Sequence, residues 1–397
     1  MATPRPTIII AGAGIGGLTA SLALAARGYR IIVLEQAERL EEAGAGLQLS
    51  PNASRVLIGL GLGPRIAARA TVPDAVSIMS GPRGLELSRL PLGDANVSSA
   101  DAPYWVVHRA DLQAALAAQV SENADIELRL GCPFKDVTRH EGGVVVGSGD
   151  GPSYWKEQAA ALIGADGIWS HVRRQLFPDV KPSFSGLIAW RGTIDAARVS
   201  TDRTPRGVQL WMGANAHLVI YPISDGRQLN VVAITSGQWR EPGWSAPADT
   251  SEVMAQFTSP QWSEAAREMV GAVPQWRKWA LFTLPEQTGW TSGATALLGD
   301  AAHAMLPFAA QGAGMAIEDA AVLASCLAGQ PADIPAALQR YAHLRQPRVT
   351  RIQRTARQNG RIYHLSGPLA AARDLVIRAM GGRRLQARQN WIYDWRE

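Results

Sequence analysis

Cysteine is scarce in this chain of 397 residues, which contains only Cys132 and Cys326. The two form no CxxC motif, so a disulfide framework and a cysteine-based zinc site are both excluded. The amino-terminal residues also lack the basic segment and separate apolar core of a signal peptide. We therefore expect a cytoplasmic protein that folds in a reducing compartment.

Long uninterrupted hydrophobic segments are also lacking. Residues 7–26 carry no charge, but glycine, threonine and serine interrupt them, which disfavours a membrane-spanning helix. With 47% hydrophobic and 18% charged residues, the composition is typical of a globular protein and excludes disordered and fibrous folds. The length suggests two or three domains.

Positive charge is weak over the whole chain, +5, and concentrated at its carboxyl end. Residues 339–397 contain 13 arginines and three acidic residues. Between residues 342 and 363 the helical period separates an apolar face from a basic one: Val349, Ile352, Ala356 and Tyr363 against Arg351, Arg354, Arg357 and Arg361. We interpret this as a helix packed on the body with a solvated outer face. An anionic membrane surface or a partner protein stays open, whereas nucleic acid is not expected because no nucleic-acid-binding motif accompanies the charge.

A glycine-rich motif lies near the amino end. Apolar residues 7–11 predict a buried strand that runs into Gly12-Ala13-Gly14-Ile15-Gly16-Gly17 and then a helix-forming segment. Gly12 allows the tight turn, Gly14 lets backbone approach a pyrophosphate, and Gly17 lets the helix pack close to the strand. A second apolar run, residues 31–34, ends at Glu35, which can bind a ribose. This order predicts a dinucleotide site, without distinguishing FAD from NAD.

Three further segments carry a resemblance to a known family. Residues 163–173 read IGADGIWSHVR, residues 297–314 read LLGDAAHAMLPFAAQGAG, and residues 108–112 read HRADL. In this order, together with the amino-terminal GxGxxG, they resemble the single-component FAD-dependent aromatic hydroxylases, the family of p-hydroxybenzoate hydroxylase. Residues 44–53 and 390–395 are most similar to its salicylate and 3-hydroxybenzoate hydroxylase branch.

The resemblance implies bound FAD and a transient NADH or NADPH. The residues that it assigns to cofactor binding are Gly12, Gly14, Gly17, Glu35, Arg109, Asp166, Asp300, Gly312, Ala313 and Gly314. In the family, the residue matching Asp166 serves both FAD and the nicotinamide cofactor, and the residue matching Asp300 binds the ribityl chain. Turn and capping chemistry is the alternative explanation for both aspartates. For His303 we prefer a packing or supporting role.

The middle of the chain predicts an antiparallel sheet. Its four β-like runs are Ser185–Ile194, Gly207–Met212, His217–Ile223 and Gln228–Thr235. Alternation along the third run places His217 and Tyr221 on one face, about 13 Å apart, which is too far for a direct pair.

The resemblance assigns substrate chemistry to this sheet and to the last glycine turn. It places a catalytic histidine at His217, where an imidazole suits removal of a phenol proton, and a pocket glutamine at Gln311. Gln311 and Tyr221 are further catalytic candidates, and Gln48 and Pro307 are pocket candidates. No arginine stands out as the partner of a substrate carboxylate, and Arg191 is as readily structural.

The predicted fold class is α/β: a Rossmann-like parallel FAD-binding sheet, an inserted antiparallel substrate-domain sheet and a carboxyl-terminal helical segment. We expect the FAD-binding domain at residues 1–72, 101–180 and 280–335. The substrate domain is expected at residues 73–100 and 181–279, and the helical segment at residues 336–397.

The expected function is hydroxylation of a small phenolic aromatic acid with NAD(P)H and O2, which the family carries out through a flavin C4a-hydroperoxide. One alternative keeps the fold but changes the substrate to an N-heteroaromatic, polyketide or terpenoid compound. Another is a non-catalytic flavin-binding module. No metal is expected, and a homodimer stays open.

Overall fold

The computed structural model describes residues 5–40, 46–92, 102–199, 204–286 and 288–397. Within them the strands are β1 (Thr7–Ala11), β2 (Arg30–Leu34), β3 (Gly46–Leu49), β4 (Ala75–Ser80), β5 (Glu86–Pro91), β6 (Trp105–His108), β7 (Ile126–Arg129), β8 (Phe134–His140), β9 (Gly143–Ser148), β10 (Trp155–Ala159), β11 (Ala161–Gly164), β12 (Ser183–Asp195), β13 (Val208–Gly213), β14 (Ala216–Ile223), β15 (Gln228–Ser236), β16 (Ser245–Ala248), β17 (Trp276–Thr283), β18 (Thr291–Ser292) and β19 (Thr295–Leu297).

The helices are α1 (Ile15–Ala25), α2 (Pro51–Gly59), α3 (Gly63–Ala67), α4 (Arg109–Ser121), α5 (His171–Leu176), α6 (Thr250–Met254), α7 (Glu264–Gly271), α8 (Asp300–His303), α9 (Gly312–Cys326), α10 (Ile334–Tyr363), α11 (Gly367–Ala387) and α12 (Asn390–Tyr393). Gly44 and Ala45, which begin the motif at residues 44–53, lie outside the described residues.

The first large sheet has six strands in the order β18-β19-β11-β1-β2-β7, parallel except for the β18–β19 pair. Its central strands are apolar and buried, as a parallel sheet covered by helices requires. Helices α1 and α9 pack together and share one hydrophobic core with these strands. The predicted parallel sheet is confirmed.

This sheet brings the cofactor motifs together at one edge. Ala11, which ends β1, pairs with Gly164 of β11, and Gly164 pairs with Leu297 of β19. The turns that follow these three residues therefore lie side by side, beyond the carboxyl ends of parallel strands. Sheets of this kind bind ligands at that edge.

The second large sheet has eight strands in the order β16-β17-β12-β15-β14-β13-β4-β5. The four runs predicted between residues 184 and 235 are confirmed as β12 to β15, with antiparallel pairing. The pair of β13 and β4 is parallel, so this otherwise antiparallel sheet contains one parallel pair. The reason is that β4 arrives from residues 75–80 by a crossover and not by a hairpin.

The two faces of the second sheet have different neighbours. One face is closed by α6 and α7, where Trp190, Trp211 and Trp262 share a core. On the other face, Ala189 packs with Phe308, which belongs to the segment between the first sheet and α9. The second face therefore packs against the segment that is predicted to bind the cofactor.

The domain boundaries stay a proposal. Strands β4 and β5 join the second sheet, as the inclusion of residues 73–100 in the substrate domain requires. Strand β17, however, runs from Trp276 to Thr283 across the expected boundary at residue 280. A boundary after β17 would keep that sheet in one domain.

The carboxyl-terminal segment is helical, and α10 contains the predicted amphipathic stretch. Val349, Ile352 and Ala356 are buried, and Tyr363 is half-buried. Two of the arginines opposite, Arg354 and Arg357, form ion pairs with Glu286. Part of the basic face is thus engaged by the body of the protein. In the described part of the chain, no helix has both the length and the apolar character needed to cross a bilayer.

Candidate active site

The glycine turn after β1 has the geometry of a phosphate-binding loop. Gly12 has a φ of +103°, and a Cβ there would lie 2.5 Å from the carbonyl oxygen of Ala165. A Cβ at Gly17 would lie 1.9 Å from the carbonyl oxygen of Gly12. A Cβ at Gly14, by contrast, would meet no heavy atom within 4 Å. The outer side of the α1 N-terminus is therefore open to an anionic ligand.

Glu35, directly after β2, holds this turn. Its two carboxylate oxygens accept hydrogen bonds from the backbone N–H groups of Ala13 (2.8 Å) and Ala37 (2.9 Å). Each oxygen has a further lone pair, so Glu35 can also accept a hydrogen bond from a ribose hydroxyl. The acid lies where the motif predicts, beside the glycine turn.

Asp166, in the turn after β11, combines capping with an unused acceptor. Its Oδ2 accepts hydrogen bonds from the backbone N–H groups of His171 (2.7 Å) and Val172 (3.1 Å), at the start of α5. Its Oδ1 is buried and has no hydrogen-bond partner among the described residues. Capping explains one oxygen, and the other is available to a ligand hydroxyl or amide.

A buried arginine, which the sequence motifs did not single out, joins this turn to the next one. Arg173 donates hydrogen bonds to the carbonyl oxygens of Ile168 (2.5 Å) and Ala301 (2.8 Å). Burial lowers the pKa of its guanidinium, while the carboxylates of Asp166 and Asp300 oppose that shift. Arg173 therefore fixes the spacing between the two aspartate turns.

Arg109, the first residue of α4, reaches the same region. Burial lowers the pKa of Arg109, the Arg191 guanidinium lowers it further, and the exposed carboxylate of Asp300 opposes both effects. The structure thus brings Arg109 and Asp300 together, as the family pattern implies. It also adds Arg191, for which the sequence suggested no role.

Gln311 holds the N-terminus of α9. Its buried side-chain amide donates a hydrogen bond to Oγ of Ser50 (2.7 Å) and accepts one from Nδ2 of Asn52 (3.0 Å). Ala310, directly before it, has a left-handed φ of +51°, a strained conformation for alanine. The Gln311 amide is therefore used to position this turn, and its place in a substrate pocket stays a prediction.

The first turn of α9 consists of Gly312, Ala313 and Gly314, and its leading N–H groups have no partner within the helix. A Cβ at Gly312 would meet no heavy atom within 4 Å, so this helix end is also open. A Cβ at Gly314 would lie 2.8 Å from Oε1 of Gln311. These features suit an anionic or electron-rich ligand group at the turn.

A buried ionic network connects the turn at Gly299 with helix α9. Arg345 forms ion pairs with Glu318 (2.7 Å) and Asp319 (2.7 Å), and Nε2 of His303 lies 2.6 Å from Asp319. Asp319 also accepts a hydrogen bond from the backbone N–H of Gly299. Burial alone would raise the pKa of Asp319, but His303 and Arg345 hold it below its ordinary value. The supporting role preferred for His303 agrees with this geometry.

His217 is buried on the inner face of β14. Its Nδ1 lies 2.9 Å from Nε2 of His364, and its ring packs against the rings of Phe308 (5.1 Å) and Tyr363 (5.5 Å). Burial lowers the pKa of His217 well below 6.5, and His364 lowers it further. His217 is therefore neutral at physiological pH and can accept a proton at a ring nitrogen.

Tyr221 lies in a cluster with Tyr104 and Tyr393, and Gln48 is hydrogen-bonded to this cluster. A Cβ at Gly46 would lie 2.5 Å from the Tyr221 ring, and Gln48 accepts a hydrogen bond from the hydroxyl of Tyr104 (2.6 Å). Burial raises the pKa of Tyr221 above its ordinary value, and Arg191 opposes that shift. The structure thus brings Tyr221, Gln48 and Arg191 to one region.

Pro307 and Arg191 complete the inner face. Pro307 begins a short helical turn that carries Phe308 onto the His217 ring. Arg191 is half-buried on β12, its guanidinium lies 5.5 Å from the Trp279 ring, and burial lowers its pKa. Its buried Nε has no hydrogen-bond partner among the described residues. Arg191 is therefore a cation available to an anionic ligand group.

Sequence reasoning missed His364, Arg173 and the network of Glu318, Asp319 and Arg345. Arg173 ends the motif at residues 163–173, which assigned it no separate role, and the other residues belong to no short motif that distinguishes them from their neighbours. Among the described residues, no group of three or more His, Cys, Asp or Glu side chains could hold a metal ion.

Comparisons with known proteins agree with this geometry. The model of a family described as "FAD binding domain" matches residues 5–356. The chain is 38% identical to a 3-amino-4-hydroxybenzoate 2-monooxygenase of Streptomyces platensis over 93% of the chain and 92% of that protein. It is 33% identical to a 3-hydroxybenzoate 6-hydroxylase of Polaromonas naphthalenivorans, over 98% of the chain and 96% of that protein. A solved salicylate hydroxylase in complex with substrate has a TM-score of 0.83 and 25% identity, over 99% of this chain and 96% of that one.

Proposed function

The chain belongs to the family of single-component FAD-dependent aromatic hydroxylases, and on that premise we propose that it hydroxylates a small phenolic aromatic acid. It is an FAD-dependent monooxygenase, and NAD(P)H is the usual reductant of its family. The proposal concerns the substrate and the residues that act on it.

The residues present fit FAD. Two helix N-termini, at Gly14 and Gly312, are open, because a Cβ there would meet no heavy atom within 4 Å. Asp166 offers a buried oxygen that has no hydrogen-bond partner in the described part of the chain. Residues 12–17 and Glu35 would hold the adenosine diphosphate half, and Arg109, Asp300 and the first turn of α9 would hold the flavin half. When bound, FAD accepts a hydride from NAD(P)H and activates oxygen for transfer to an aromatic ring.

The observation that carries the substrate class is the pairing of a base with a cation on one sheet face. Arg191 pairs with Val232 and Val232 with Val219, and Val219 alternates with His217 and Tyr221 on β14. Directly opposed residues share a face, as do residues two apart in a strand. Arg191 would bind a carboxylate, while His217 would meet a phenol. The relatives are named for 3-amino-4-hydroxybenzoate and 3-hydroxybenzoate, which carry both groups.

His217 has the protonation state that this role requires. Its Nδ1 is hydrogen-bonded to His364, and its Nε2 makes no hydrogen bond within the described part of the chain. With Nε2 unprotonated, His217 can accept the phenolic proton and make the ring more nucleophilic. Tyr221, protonated because of burial, would orient the substrate by donating a hydrogen bond, whereas the Tyr104 hydroxyl donates its hydrogen to Gln48. The apolar wall formed by Val219 and Phe308 would exclude water.

The experiment is a panel of aromatic compounds tested for stimulation of NADH and NADPH oxidation, with products identified by mass. It contains 3-hydroxybenzoate, salicylate, 3-amino-4-hydroxybenzoate, their methyl esters and non-phenolic benzoate. An N-heteroaromatic acid, a polyketide phenol and a terpenoid represent the alternative substrates. We expect a hydroxylated product from a phenolic acid, and a weaker response to its ester and to benzoate.

Three results would contradict the proposal. Oxidation of NAD(P)H that yields only hydrogen peroxide with every phenolic acid would show that none is the substrate. A hydroxylated product from one of the alternative compounds alone would transfer the assignment to that class. Absence of any effector-stimulated oxidation would favour a flavin-binding module without catalysis.

We also propose that O2 is the co-substrate, that the protein forms a homodimer and that it is located in the cytoplasm. The low cysteine content supports a reducing compartment. Exposed Leu369, Leu375 and Val376 on α11 support burial against a second copy of the chain. Sedimentation of the purified protein at several concentrations tests the dimer.

A further inference from the structure

We infer that His217 and His364 form a relay of two imidazoles that carries the phenolic proton of the substrate from the buried site to solvent. The inference rests on the proposed function, in which His217 accepts that proton. Nδ1 of His217 and Nε2 of His364 are 2.9 Å apart, within hydrogen-bond distance. His217 is only 2% exposed, whereas His364, at the end of α10, is half-buried. The pair therefore leads from the sheet face outward.

The surroundings hold the two rings in this relation. The backbone N–H of Asn215, next to β14, donates a hydrogen bond to the carbonyl oxygen of His364 (3.3 Å). Arg373 of α11 donates hydrogen bonds to the carbonyl oxygens of Ile362 and Tyr363, both at 3.0 Å, and so fixes the end of α10. The ring of Phe308 packs against both imidazoles. The contact between the histidines is thus held from three elements.

Among the described residues, the titratable or charged groups that face the pair are Tyr363 on α10 and Arg373 on α11. Arg373 is paired with Asp374. Among the described residues, no carboxylate is hydrogen-bonded to either imidazole. Burial lowers the pKa of His364 to about 4, with a further contribution from Arg373. Both histidines are therefore neutral at pH 7, and one ring donates the shared hydrogen to the other.

The proton transfer balances over the two rings. The substrate O–H bond breaks and a bond from hydrogen to Nε2 of His217 forms. The hydrogen on Nδ1 of His217 moves to Nε2 of His364, and Nδ1 of His364 loses its hydrogen to water. One proton thus leaves the substrate and one reaches solvent, with no change of charge on the pair. Reverse transfer to the product phenolate restores both starting tautomers.

The second histidine answers a difficulty that His217 alone would leave. A phenol has a pKa near 10, so a buried imidazole with a strongly lowered pKa is a poor final acceptor of its proton. A neutral imidazole that passes the proton on need not hold a buried positive charge. The nearby Arg373 guanidinium also disfavours retention of the proton on His364. His364 acts through His217 and is a positioning and proton-transfer residue.

The test follows proton release when FAD-loaded enzyme binds 3-hydroxybenzoate without NAD(P)H. Enzyme and probe are mixed rapidly in weak buffer with phenol red. We expect His364→Phe and His364→Gln to slow proton release about tenfold or more, with the probe's Kd nearly unchanged. His343→Phe is the matched control, because His343 is an exposed histidine of the same helix, and it should release the proton at the wild-type rate.

Outcomes separate the relay from the function on which it rests. If wild-type enzyme hydroxylates no hydroxybenzoate, the proposed function fails. If it hydroxylates the probe but His364→Phe and His364→Gln release the proton at the wild-type rate, the relay is overturned. A measurement on wild-type enzyme covers the case in which both variants misfold. The dependence of the release rate on deuterium fraction should be curved because the relay moves three protons, and a linear dependence would overturn the relay.

Discussion

Gly14 and Gly17 belong to one turn but are glycines for different reasons. A Cβ at Gly17 would lie 1.9 Å from a backbone oxygen, whereas a Cβ at Gly14 would meet no heavy atom within 4 Å. We expect Gly17→Ala to destabilise the apoprotein by about 1–3 kcal/mol or more. Gly14→Ala should leave its stability within about 0.5 kcal/mol and still weaken FAD binding, because the methyl group occupies the side open to phosphates.

Urea unfolding of the apoproteins and FAD titration by fluorescence quenching measure the two effects separately. Normal FAD affinity in Gly14→Ala would show that the pyrophosphate does not approach the backbone at this glycine.

The lowered pKa of His217 predicts that kcat/KM stays constant to an unusually low pH. Burial lowers its pKa well below 6.5, so the imidazole stays neutral and able to accept a proton below that pH. We expect kcat/KM to hold through pH 6.5 and to fall only at lower pH, as His217 becomes protonated. His217→Ala should reduce product formation about 100-fold or more while FAD stays bound. Steady-state rates with quantified product test both points, and coupled turnover unchanged in His217→Ala would remove this residue from the mechanism.

Arg191 is the residue that we propose binds the carboxylate of the substrate. A charged hydrogen bond contributes about 1.5–3 kcal/mol, so Arg191→Met should lower kcat/KM for a hydroxybenzoate about 10- to 100-fold. The methyl ester of the same compound carries no charge and should react equally with both enzymes. Comparison of acid and ester within each enzyme cancels any general loss of activity. An equal loss for both compounds would show that Arg191 does not bind the carboxylate.

The elements themselves were largely predictable, and their long-range contacts were not. Strand β1, helix α1 and Glu35 follow from apolar runs and glycines that are adjacent in sequence. The hydrogen bond between His217 and His364 joins residues 147 positions apart, and that between Asn52 and Glu318 joins residues 266 apart. Such pairs depend on how helices cross the sheets, which local periodicity does not encode.

Strand order was beyond local reasoning for the same reason. The run at residues 207–212 predicts a strand, but only the tertiary fold decides that β13 takes β4 as a parallel neighbour. Asp166 shows a further limit, because capping and ligand binding use the same residue type in the same turn. In the structure the two carboxylate oxygens of Asp166 differ: Oδ2 caps α5, whereas Oδ1 has no partner among the described residues and is available to a ligand.

Helices α9 and α10 are joined by a buried ion pair that should dominate their packing. Arg345 is 1% exposed and pairs with Glu318 and Asp319. We expect Arg345→Met to cost about 3–5 kcal/mol, because it leaves buried carboxylates without their partner. Arg354→Met on the same helix is the control, since Arg354 is largely exposed beside Glu286 and should cost at most about 1 kcal/mol.

Urea unfolding of the FAD-loaded variants gives both free energies. Equal costs for the two substitutions would mean that the remaining partners, His303 and Arg348, satisfy the buried carboxylates without Arg345.

At the scale of the whole molecule, the two large sheets position different groups of candidate site residues. The six-stranded sheet gathers the cofactor turns at one edge, and the eight-stranded sheet presents His217, Tyr221 and Arg191 on one face. The segment from Asp300 to Gly314 connects them, because it carries a cofactor turn at each end and Phe308 between them. Phe308 packs on His217. Occupation of the cofactor site should therefore stabilise both parts together.

FAD binding should accordingly raise the melting temperature of the apoprotein in one cooperative transition. A ligand at 100 times its Kd stabilises the native state by about 2.7 kcal/mol. In the proposed assignment, adenosine diphosphate would contact only residues 12–17 and Glu35, whereas FAD would also reach Asp300 and the first turn of α9. Two ligands at equal multiples of their Kd stabilise the native state equally. The two ligands are therefore compared at equal concentration, where the one with the lower Kd gives the larger shift of the melting temperature. We expect FAD to shift the transition further than adenosine diphosphate does, and Asp300→Asn to reduce only the FAD shift. Calorimetry measures both, and equal shifts by the two ligands in wild-type protein would show that the distant turns make no contribution to binding.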